Sequence, residues 1–306
     1  MNAALPHDPT GRRFTIASGD AVVEITEVGA ALRAFEVGGV DLVPRYGDDQ
    51  PTPAASGVVL VPWPNRVRDG RWTQRGQEHQ LALTEPARGN ASHGLLRVTP
   101  YRLVTQEADA VTLAADVFPQ TGYPFHLATT VTYALDGPAL TVTHTLRNVG
   151  AADAPVALGT HPYFCIGDVP TRELTLQIDA ATRFVVDDRM LPIDEVPVDA
   201  DTDLRTPRRL ADVDLDTAYS GISRDDEGRI GARLAAPDGR AVHVWADEGF
   251  GYLLAFSTDR YPGHELALAI EPMTAPTDAL NSGRDLRWLA PGEEWTLRWG
   301  VAYHTP

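Results

Sequence analysis

The sequence predicts a single all-β sandwich of unusual size, and three observations support this fold class. Short stretches in which apolar and polar residues alternate recur along most of the 306-residue chain, as in strands with one buried face. The 26 glycines and 24 prolines separate these stretches as turns do. No segment keeps a helical period of apolar residues for more than about two turns, which is shorter than an ordinary helix.

The predicted elements begin with a hairpin whose strands cover 21–28 and 32–37. The alternation is clearest from 140 to 147, after the Asp136–Gly137 turn. Further strands are predicted at 110–117, 127–135, 174–178, 230–235, 241–245, 252–257, 266–270 and 295–302. The acidic segment 187–203 resembles a loop and is too short to separate domains, so we expect one domain over residues 1–306.

The charge balance excludes several classes of function. Asp and Glu total 42 against 26 basic residues, giving a formal charge of −16, and every basic residue is arginine. Such a surface repels nucleic acid and anionic membranes, so we expect neither as a partner. Without lysine, Schiff-base, pyridoxal-lysine and phosphate-loop mechanisms are excluded. The single cysteine, Cys165, excludes an internal disulfide and a multi-thiolate metal site.

The first 13 residues contain no apolar run, so the sequence predicts neither a signal peptide nor a membrane anchor. We therefore expect a soluble, cytoplasmic protein that is a monomer or a weak homodimer.

Glu271 follows the apolar run 266–270, which predicts a strand covered on both faces. Pro272 and Pro276 lack backbone donors, so we expect the chain to leave the sheet after Glu271 as a stiff loop. A rigidly held, half-buried carboxylate at a strand end suits a general base. The alternative is a structural glutamate paired with an arginine.

Four other positions interrupt the alternation with polar groups. Trp63 lies between two prolines and Arg66 follows it, and an aromatic face beside a guanidinium suits a sugar. The alternative is a core tryptophan with a surface arginine. His93 lies in a polar loop, and His161 ends a predicted strand. Asp216 follows in a segment that could also be an ordinary Asx turn.

Metal binding and a serine nucleophile have weaker support. No His-x-x-x-His pair lies beside a glutamate, although the scattered His93, His161 and Glu271 still permit a zinc site. There is no Gly-x-Ser-x-Gly segment. We therefore predict no metal and no cofactor.

Taken in order, these segments resemble the aldose 1-epimerase (galactose mutarotase-like) family. Of these segments, the two that contain His161 and Glu271 are the most specific for the family. The matching pieces are Pro62-Trp63-Pro64-Asn65-Arg66, His93-Gly94, His161-Pro162-Tyr163-Phe164, Asp216-Thr217-Ala218-Tyr219, Glu271-Pro272-Met273-Thr274-Ala275-Pro276, Asp278 and Ser282-Gly283. The resemblance implies a large two-sheet antiparallel β-sandwich with a sugar in a cleft.

The resemblance also implies roles for individual residues. Glu271 matches the family's catalytic base, His161 its catalytic acid, and His93 a second active-site histidine. Arg66 and Asp216 match the residues that hold the sugar hydroxyls. We expect these five to converge on one pocket, and its aromatic wall to come from Trp63 or Phe164.

The implied reaction needs only one base and one acid. Interconverting α and β anomers removes a proton from the C1 hydroxyl and gives one to the ring oxygen, so that the ring opens and recloses. An ionised Glu271 and a protonated His161 would form such a pair, without metal, cofactor or covalent intermediate. The acid limb of the activity would then report Glu271 and the alkaline limb His161.

The substrate remains open at this point. Leu95 follows His93-Gly94 where the best-known galactose mutarotases have a second glycine, which is similar to a shorter bacterial branch with varied sugars. The negative charge favours a neutral aldohexose. An anionic sugar would need cleft arginines, for which Arg68, Arg71 and Arg97 are candidates. Two different functions would also fit the residues: a non-catalytic carbohydrate-binding sandwich, and a glycoside hydrolase that uses Glu271 with Asp216.

Overall fold

The computed structural model describes residues 8–306, and strands dominate this range. Among these described residues, helical structure is limited to one α-helix, α1 (Ala279–Ser282), and three 3-10 turns at Pro53–Ala55, Thr171–Glu173 and Leu210–Asp212. None of the helices described in residues 8–306 has the length and apolar composition that crossing a membrane requires.

The strands are numbered in chain order. They are β1 (Arg13–Ser18), β2 (Ala21–Thr26), β3 (Leu32–Val37), β4 (Val40–Asp41), β5 (Val59–Leu60), β6 (Arg66–Arg68), β7 (Arg71–Gln74), β8 (Gln77–Gln80), β9 (Asn90–Ser92), β10 (Arg102–Gln106), β11 (Ala110–Val117), β12 (Leu127–Asp136), β13 (Ala139–Asn148), β14 (Ala154–Val156), β15 (Gly159–Thr160), β16 (Tyr163–Phe164), β17 (Thr175–Ile178), β18 (Ala180–Val186), β19 (Pro192–Pro197), β20 (Arg208–Arg209), β21 (Asp216–Ile222), β22 (Ile230–Ala235), β23 (Ala241–Ala246), β24 (Tyr252–Thr258), β25 (Ala267–Met273), β26 (Arg287–Leu289) and β27 (Glu294–His304).

Two large antiparallel sheets organise these strands. One has nine strands in the order β10-β11-β12-β13-β27-β23-β22-β17-β20. The other has eight, in the order β19-β18-β21-β24-β25-β15-β5, with β16 also paired to β25. A four-stranded sheet, β1 to β4, and three strand pairs complete the fold.

One apolar core joins the two large sheets. Val142 and Val301 reach it from the nine-stranded sheet, and Leu253 and Ile270 reach it from the eight-stranded sheet. Each is at most 1% exposed, so each contributes roughly 1.5–3 kcal/mol by burial. The predicted all-β fold class is confirmed. The expected single domain over residues 1–306 includes residues 1–7, which lie outside the described residues.

The alternating pattern located the main strands well, and the predicted hairpin is β2 paired with β3. The prediction of a loop over 187–203 is wrong in part, because this segment contains β19. Proline and acidic residues are unfavourable in central strands. They are tolerated here because β19 is an edge strand of the eight-stranded sheet.

The prediction that the chain leaves the sheet after Glu271 is also wrong, because β25 continues through Pro272 to Met273. The N–H groups of Ile270 and Thr274 point to the same side of β25, toward Pro162 and Leu158. Pro272 lies between them in the alternation, so its missing donor faces that side too. There the neighbouring strand is interrupted between β15 and β16, and no hydrogen bond from residue 272 is needed.

In the loop after β9, the backbone of Gly94 lies close to the backbone of Val61. Gly94 has φ of +69°, and a Cβ added there would overlap the carbonyl of Val61. Gly76 has a similar φ of +81° but open space around it. We expect Gly76→Ala to destabilise the protein by about 1–2 kcal/mol, from the left-handed backbone alone. Gly94→Ala should cost more than about 3 kcal/mol, measured by urea unfolding. Equal losses for the two variants would contradict this account of Gly94.

Candidate active site

A pocket of about 430 Å³ lies on the face of the eight-stranded sheet that points away from the main core. Successive side chains of a strand point to opposite faces. Leu253 and Ile270 therefore join the core, whereas Leu254, Phe256 and Glu271 line the pocket. Strands β24 and β25 thus supply the core with one face and the pocket with the other.

The structure brings five residues predicted from the sequence into this one pocket. They come from β6, β21, β25 and the segments that follow β9 and β15, although they are distant in sequence. The five are Arg66, His93, His161, Asp216 and Glu271.

The contact between His161 and Glu271 is buried in the wall of the pocket. His161 Nε2 lies 3.2 Å from Glu271 Oε1, and both side chains are at most 7% exposed. Tyr163 stacks on the imidazole at 5.4 Å between ring centroids, which holds the ring plane. Glu271 Oε2 has no hydrogen-bond partner within residues 8–306. An unsatisfied buried oxygen beside a fixed imidazole can accept a proton or a hydroxyl hydrogen bond from a ligand.

Glu271 reaches this position because β25 is central and His161 lies opposite it, in the break between β15 and β16. The same break accommodates Pro272. The His161 N–H donates to Val58 O at 3.3 Å, so backbone hydrogen bonding also holds the segment that carries the imidazole.

His93 lies beside His161 with its ring edge-on, at 5.4 Å between centroids and 77° between planes. Its backbone has φ of +64°, and its N–H donates to Asn65 O at 2.8 Å. A histidine tolerates the left-handed region better than a β-branched residue does. Its Nδ1 is buried without a hydrogen-bond partner in the described part of the chain.

Arg66 is held by a bidentate ion pair with Glu85. Arg66 Nε lies 2.8 Å from Glu85 Oε2, and Nη2 lies 3.1 Å from Oε1. Arg66 Nη1 donates to Asn65 Oδ1 at 3.2 Å. This fork geometry fixes the guanidinium plane at the pocket wall.

Asp278 ties the strand that carries Arg66 to the segment that follows Glu271. Its N–H donates to Arg66 O at 2.8 Å, and its Oδ1 accepts the Arg68 N–H at 2.9 Å. The segment from Glu271 to Asp278 therefore helps to position both the Glu271 carboxyl and Arg66 in the pocket.

Two predicted contributors to the pocket lie elsewhere. Trp63 is 2% exposed in the main core, with its ring 6.3 Å from that of Tyr123. Phe164 is fully buried there too, because its pairing with Leu268 turns it to the core face of the sheet. The predicted aromatic wall from Trp63 or Phe164 is therefore wrong. Phe256 supplies that wall.

Several residues that line the pocket have no signal in the sequence, and one is only a candidate there. Leu254 and Phe256 alternate in a strand that was predicted, but nothing in the sequence paired that strand with β25. Arg97 was one of three candidate arginines. It lines the pocket, whereas Arg68 and Arg71 do not.

Burial raises the pKa of the acidic group in the pocket and lowers the pKa values of the two histidines. It raises the pKa of Glu271 well above the usual value; Asp216 adds to the shift and Arg66 opposes it. It lowers the pKa of His161 to about 4, and the charge of Arg66 acts in the same direction. Burial also takes the pKa of His93 well below its usual value, with the charges of His161, Arg66 and Arg97 contributing.

These shifts correct the protonation states expected from the sequence. An ionised Glu271 with a protonated His161 is disfavoured in the resting site, because burial penalises both charges. The neutral carboxyl and neutral imidazole together contain the same number of protons as the ionised carboxylate and protonated imidazole. The two arrangements differ by one proton moved across the 3.2 Å contact.

Metal ligation is a separate question for this cluster of side chains. Within residues 8–306, no group of three or more His, Cys, Asp or Glu side chains is arranged to hold a metal ion. His93 and His161 instead contact each other through a ring edge, and His161 contacts Glu271 through Nε2.

The neutral pair can be tested by NMR. We expect the His161 imidazole to titrate near pH 4, and Glu271→Gln to change that value little, because the amide resembles the neutral carboxyl. A charged pair behaves differently. In that case the His161 pKa would be high in the wild type and would fall when Glu271→Gln removes the negative charge, and our assignment would be wrong.

Comparison with known proteins identifies the family of this chain. A family model described as aldose 1-epimerase matches residues 12–301. The uncharacterised protein YihR of Escherichia coli (strain K12) is 31% identical over 297 residues, covering 95% of this chain and 93% of that protein. Galactose mutarotase of Bos taurus is 27% identical over 328 residues, covering 94% and 92%. The crystal structure of a GalM/aldose epimerase homologue from C. elegans has a TM-score of 0.83 at 18% identity, covering 96% and 98%. The chain belongs to the aldose 1-epimerase family.

Proposed function

We propose that this protein is a mutarotase that interconverts the α and β anomers of an aldose. The observation that carries the proposal is the buried contact between His161 and Glu271, 3.2 Å apart in a pocket of about 430 Å³. That volume is at the lower end of the range for small-ligand sites, about 300–1,000 Å³. A sugar ring is a ligand of suitable size.

The two reacting oxygens of the sugar are bonded to the same carbon, so one end of the ring can contact both members of the pair. Glu271 takes the proton of the C1 hydroxyl, and His161 gives a proton to the ring oxygen. The ring opens, the aldehyde rotates, and the reverse transfers close the ring on its other face. No atom is added or removed.

The shared proton must first move from the Glu271 carboxyl to the His161 imidazole. A hydrogen bond from the C1 hydroxyl to Glu271 favours the ionised carboxylate, and Arg66 acts in the same direction. Since the transfer takes place within the pair, it leaves the total number of bound protons unchanged. The pair therefore titrates as one unit with two apparent pKa values.

The other lining residues hold the sugar. Arg66, fixed by Glu85, donates hydrogen bonds, and Asp216 accepts them. Phe256 lies beside Asp216 on the adjacent strand and offers an apolar surface to one face of the ring. Our first choice of substrate is a neutral aldohexose, which the likeness to galactose mutarotase of Bos taurus also supports.

Removing either member of the pair should abolish most of the catalysis. We expect Glu271→Gln and His161→Asn each to lower the rate by about 10²–10⁴-fold, because each withdraws general acid or base assistance. The double variant should lose little more than either single variant, because the two groups act in one event. Polarimetry of freshly dissolved α-glucose and α-galactose measures these rates.

Glu107→Gln, at an exposed glutamate outside the pocket, is the matched control and should keep wild-type activity. A Glu271→Gln protein as active as the wild type would refute the proposal. A wild type that binds sugars without accelerating anomer exchange would favour the non-catalytic binding module.

The pH dependence should be bell-shaped, with its limbs exchanged relative to the sequence-based expectation. Below about pH 4, the His161 imidazole becomes protonated. The pair then holds two transferable protons, and no base remains. Above the raised pKa of Glu271, the pair loses its only transferable proton, and no acid remains. A rate that already falls on acidification from pH 7 to 5.5 would contradict this assignment.

A second candidate function is epimerisation of an anionic sugar, and Arg97 is the observation that favours it. Arg97 lines the pocket, and its guanidinium has no ion-pair partner among residues 8–306. A free guanidinium can bind a phosphate or sulfonate on the substrate.

The two candidates differ in substrate preference. With a net charge of −16, we expect glucose or galactose to have a higher kcat/KM than glucose 6-phosphate. Arg97→Gln should then change neutral-sugar turnover by less than about tenfold. A preference for the phosphate or for a sulfonated hexose that disappears in Arg97→Gln would establish the second candidate instead.

A further inference from the structure

A small apolar cluster, separate from the main core, lies beside the reacting pair. Its buried members are Tyr46, Tyr163, Tyr261, Ala267 and Ala269. The two alanines alternate with Glu271 along β25, so the cluster lies on the pocket side of the eight-stranded sheet. The cluster therefore packs beside the groups that form the site rather than between the two large sheets.

The ring of Tyr261 supports the His161 imidazole through one intervening ring. Tyr261 lies in the connection between β24 and β25 and is 2% exposed. Its ring centroid is 4.9 Å from that of Tyr163. Tyr163 in turn stacks on the imidazole, with 22° between the two ring planes. Since all three rings are buried, a change in the Tyr261 ring alters the packing that holds the imidazole.

The hydroxyl group of Tyr261 contacts the backbone segment that pairs with His161. It lies 3.1 Å from Ser56 Oγ. The two residues that follow Ser56 hold both backbone polar groups of the histidine. The Gly57 N–H donates to His161 O at 2.8 Å, and Val58 O accepts the His161 N–H at 3.3 Å. The hydroxyl of Tyr261 therefore helps to fix the backbone from which the imidazole extends.

The two contacts of Tyr261 thus act on one residue by separate routes, through its side chain and through its backbone. Tyr261 is not among the residues that line the pocket, so it can affect the reaction only through other groups. General acid–base catalysis needs the acid within hydrogen-bond reach of the reacting atom. A displacement of about 1 Å at such a group can lower the rate by about 10²-fold.

We propose that Tyr261 is a positioning residue, which holds the side chain and the backbone of His161 in the arrangement that proton transfer with Glu271 requires. The expected effect on turnover rests on the proposed function. The position and environment of the imidazole can be measured independently of turnover.

Two substitutions separate the contributions of the ring and the hydroxyl. Tyr261→Leu removes both, whereas Tyr261→Phe removes only the hydroxyl, which also lies 3.1 Å from Pro44 O. Tyr133 is the matched control, because it is fully buried in the main core and its hydroxyl donates to Ala30 O at 2.6 Å. Tyr133→Leu and Tyr133→Phe therefore remove the same groups away from the pocket. Urea unfolding of all four variants gives the temperature at which each is folded during the rate measurements.

We expect Tyr261→Leu to lower kcat by about 10–100-fold and to leave KM within about threefold, because positioning acts on the transition state. Tyr261→Phe keeps the ring and should stay within about fivefold of the wild-type kcat. Tyr133→Leu, measured where it is folded, should change kcat by less than about twofold. Equal kcat losses in Tyr261→Leu and Tyr133→Leu, or a raised KM with unchanged kcat in Tyr261→Leu, would overturn the proposal.

NMR of the His161 imidazole, assigned with His161→Asn, tests the positioning without turnover. Burial lowers the pKa of His161 to about 4, and a loosened ring admits water, so we expect this pKa to rise in Tyr261→Leu. The titratable and charged groups that face the imidazole are all retained; they are Glu271, His93, Tyr163 and Arg66. Tyr133→Leu should leave the resonance and its titration unchanged. An unchanged His161 resonance and titration in Tyr261→Leu would overturn the positioning role.

Failure of this proposal and failure of the mutarotase proposal can be distinguished. If the wild type does not accelerate anomer exchange, the mutarotase proposal fails, and the His161 NMR measurement alone decides the role of Tyr261. If the wild type is active and Tyr261→Leu keeps the wild-type kcat, the positioning role fails and the mutarotase proposal stands.

A further pair of variants decides the question if Tyr261→Leu does not fold. Tyr261→Phe and Ser56→Ala remove opposite ends of one hydroxyl contact. Each should lower kcat by about two- to fivefold, and the double variant should lose little more than either single variant. Wild-type kcat in both single variants, or fully additive losses in the double variant, would then overturn the proposal.

Discussion

The rest of the site depends on one constraint, the burial of an imidazole and a carboxyl against each other where water is scarce. Neither His161 nor Glu271 can hold a charge at this depth without a large desolvation penalty, so burial favours the neutral form of each. The surrounding residues are positioned to preserve this contact. Tyr163 holds the imidazole plane, and central β25 holds the carboxyl. Arg66, tied to Glu85, provides the nearby positive charge.

The interruption between β15 and β16 connects the backbone to this chemistry. An unbroken neighbour of β25 would require a donor at residue 272, which proline lacks. The break removes that requirement, and it also allows His161 to turn toward the adjacent Glu271. Proline in a central strand and histidine in a strand gap are therefore two consequences of the same local geometry.

Much of this fold could be predicted from the sequence, because alternation of apolar and polar residues depends on local chain geometry alone. The strand at 252–257 and the run ending at Ile270 were both predicted, but their register was not, and register decides which residues share a face. For this reason Phe164 was wrongly assigned to the pocket and Phe256 was missed. The protonation states were beyond reach as well, since they follow from burial by distant parts of the chain.

The division of labour between the two faces of β24 and β25 has an evolutionary consequence. Residues at alternate positions are constrained differently. Those on one face must pack in the core, and those on the other face line the pocket. A substitution at Leu254 or Phe256 can reshape the cleft while Leu253 and Ala255 keep the sandwich folded. Such an arrangement allows the lining of the cleft to diverge while the main core of the sandwich is retained.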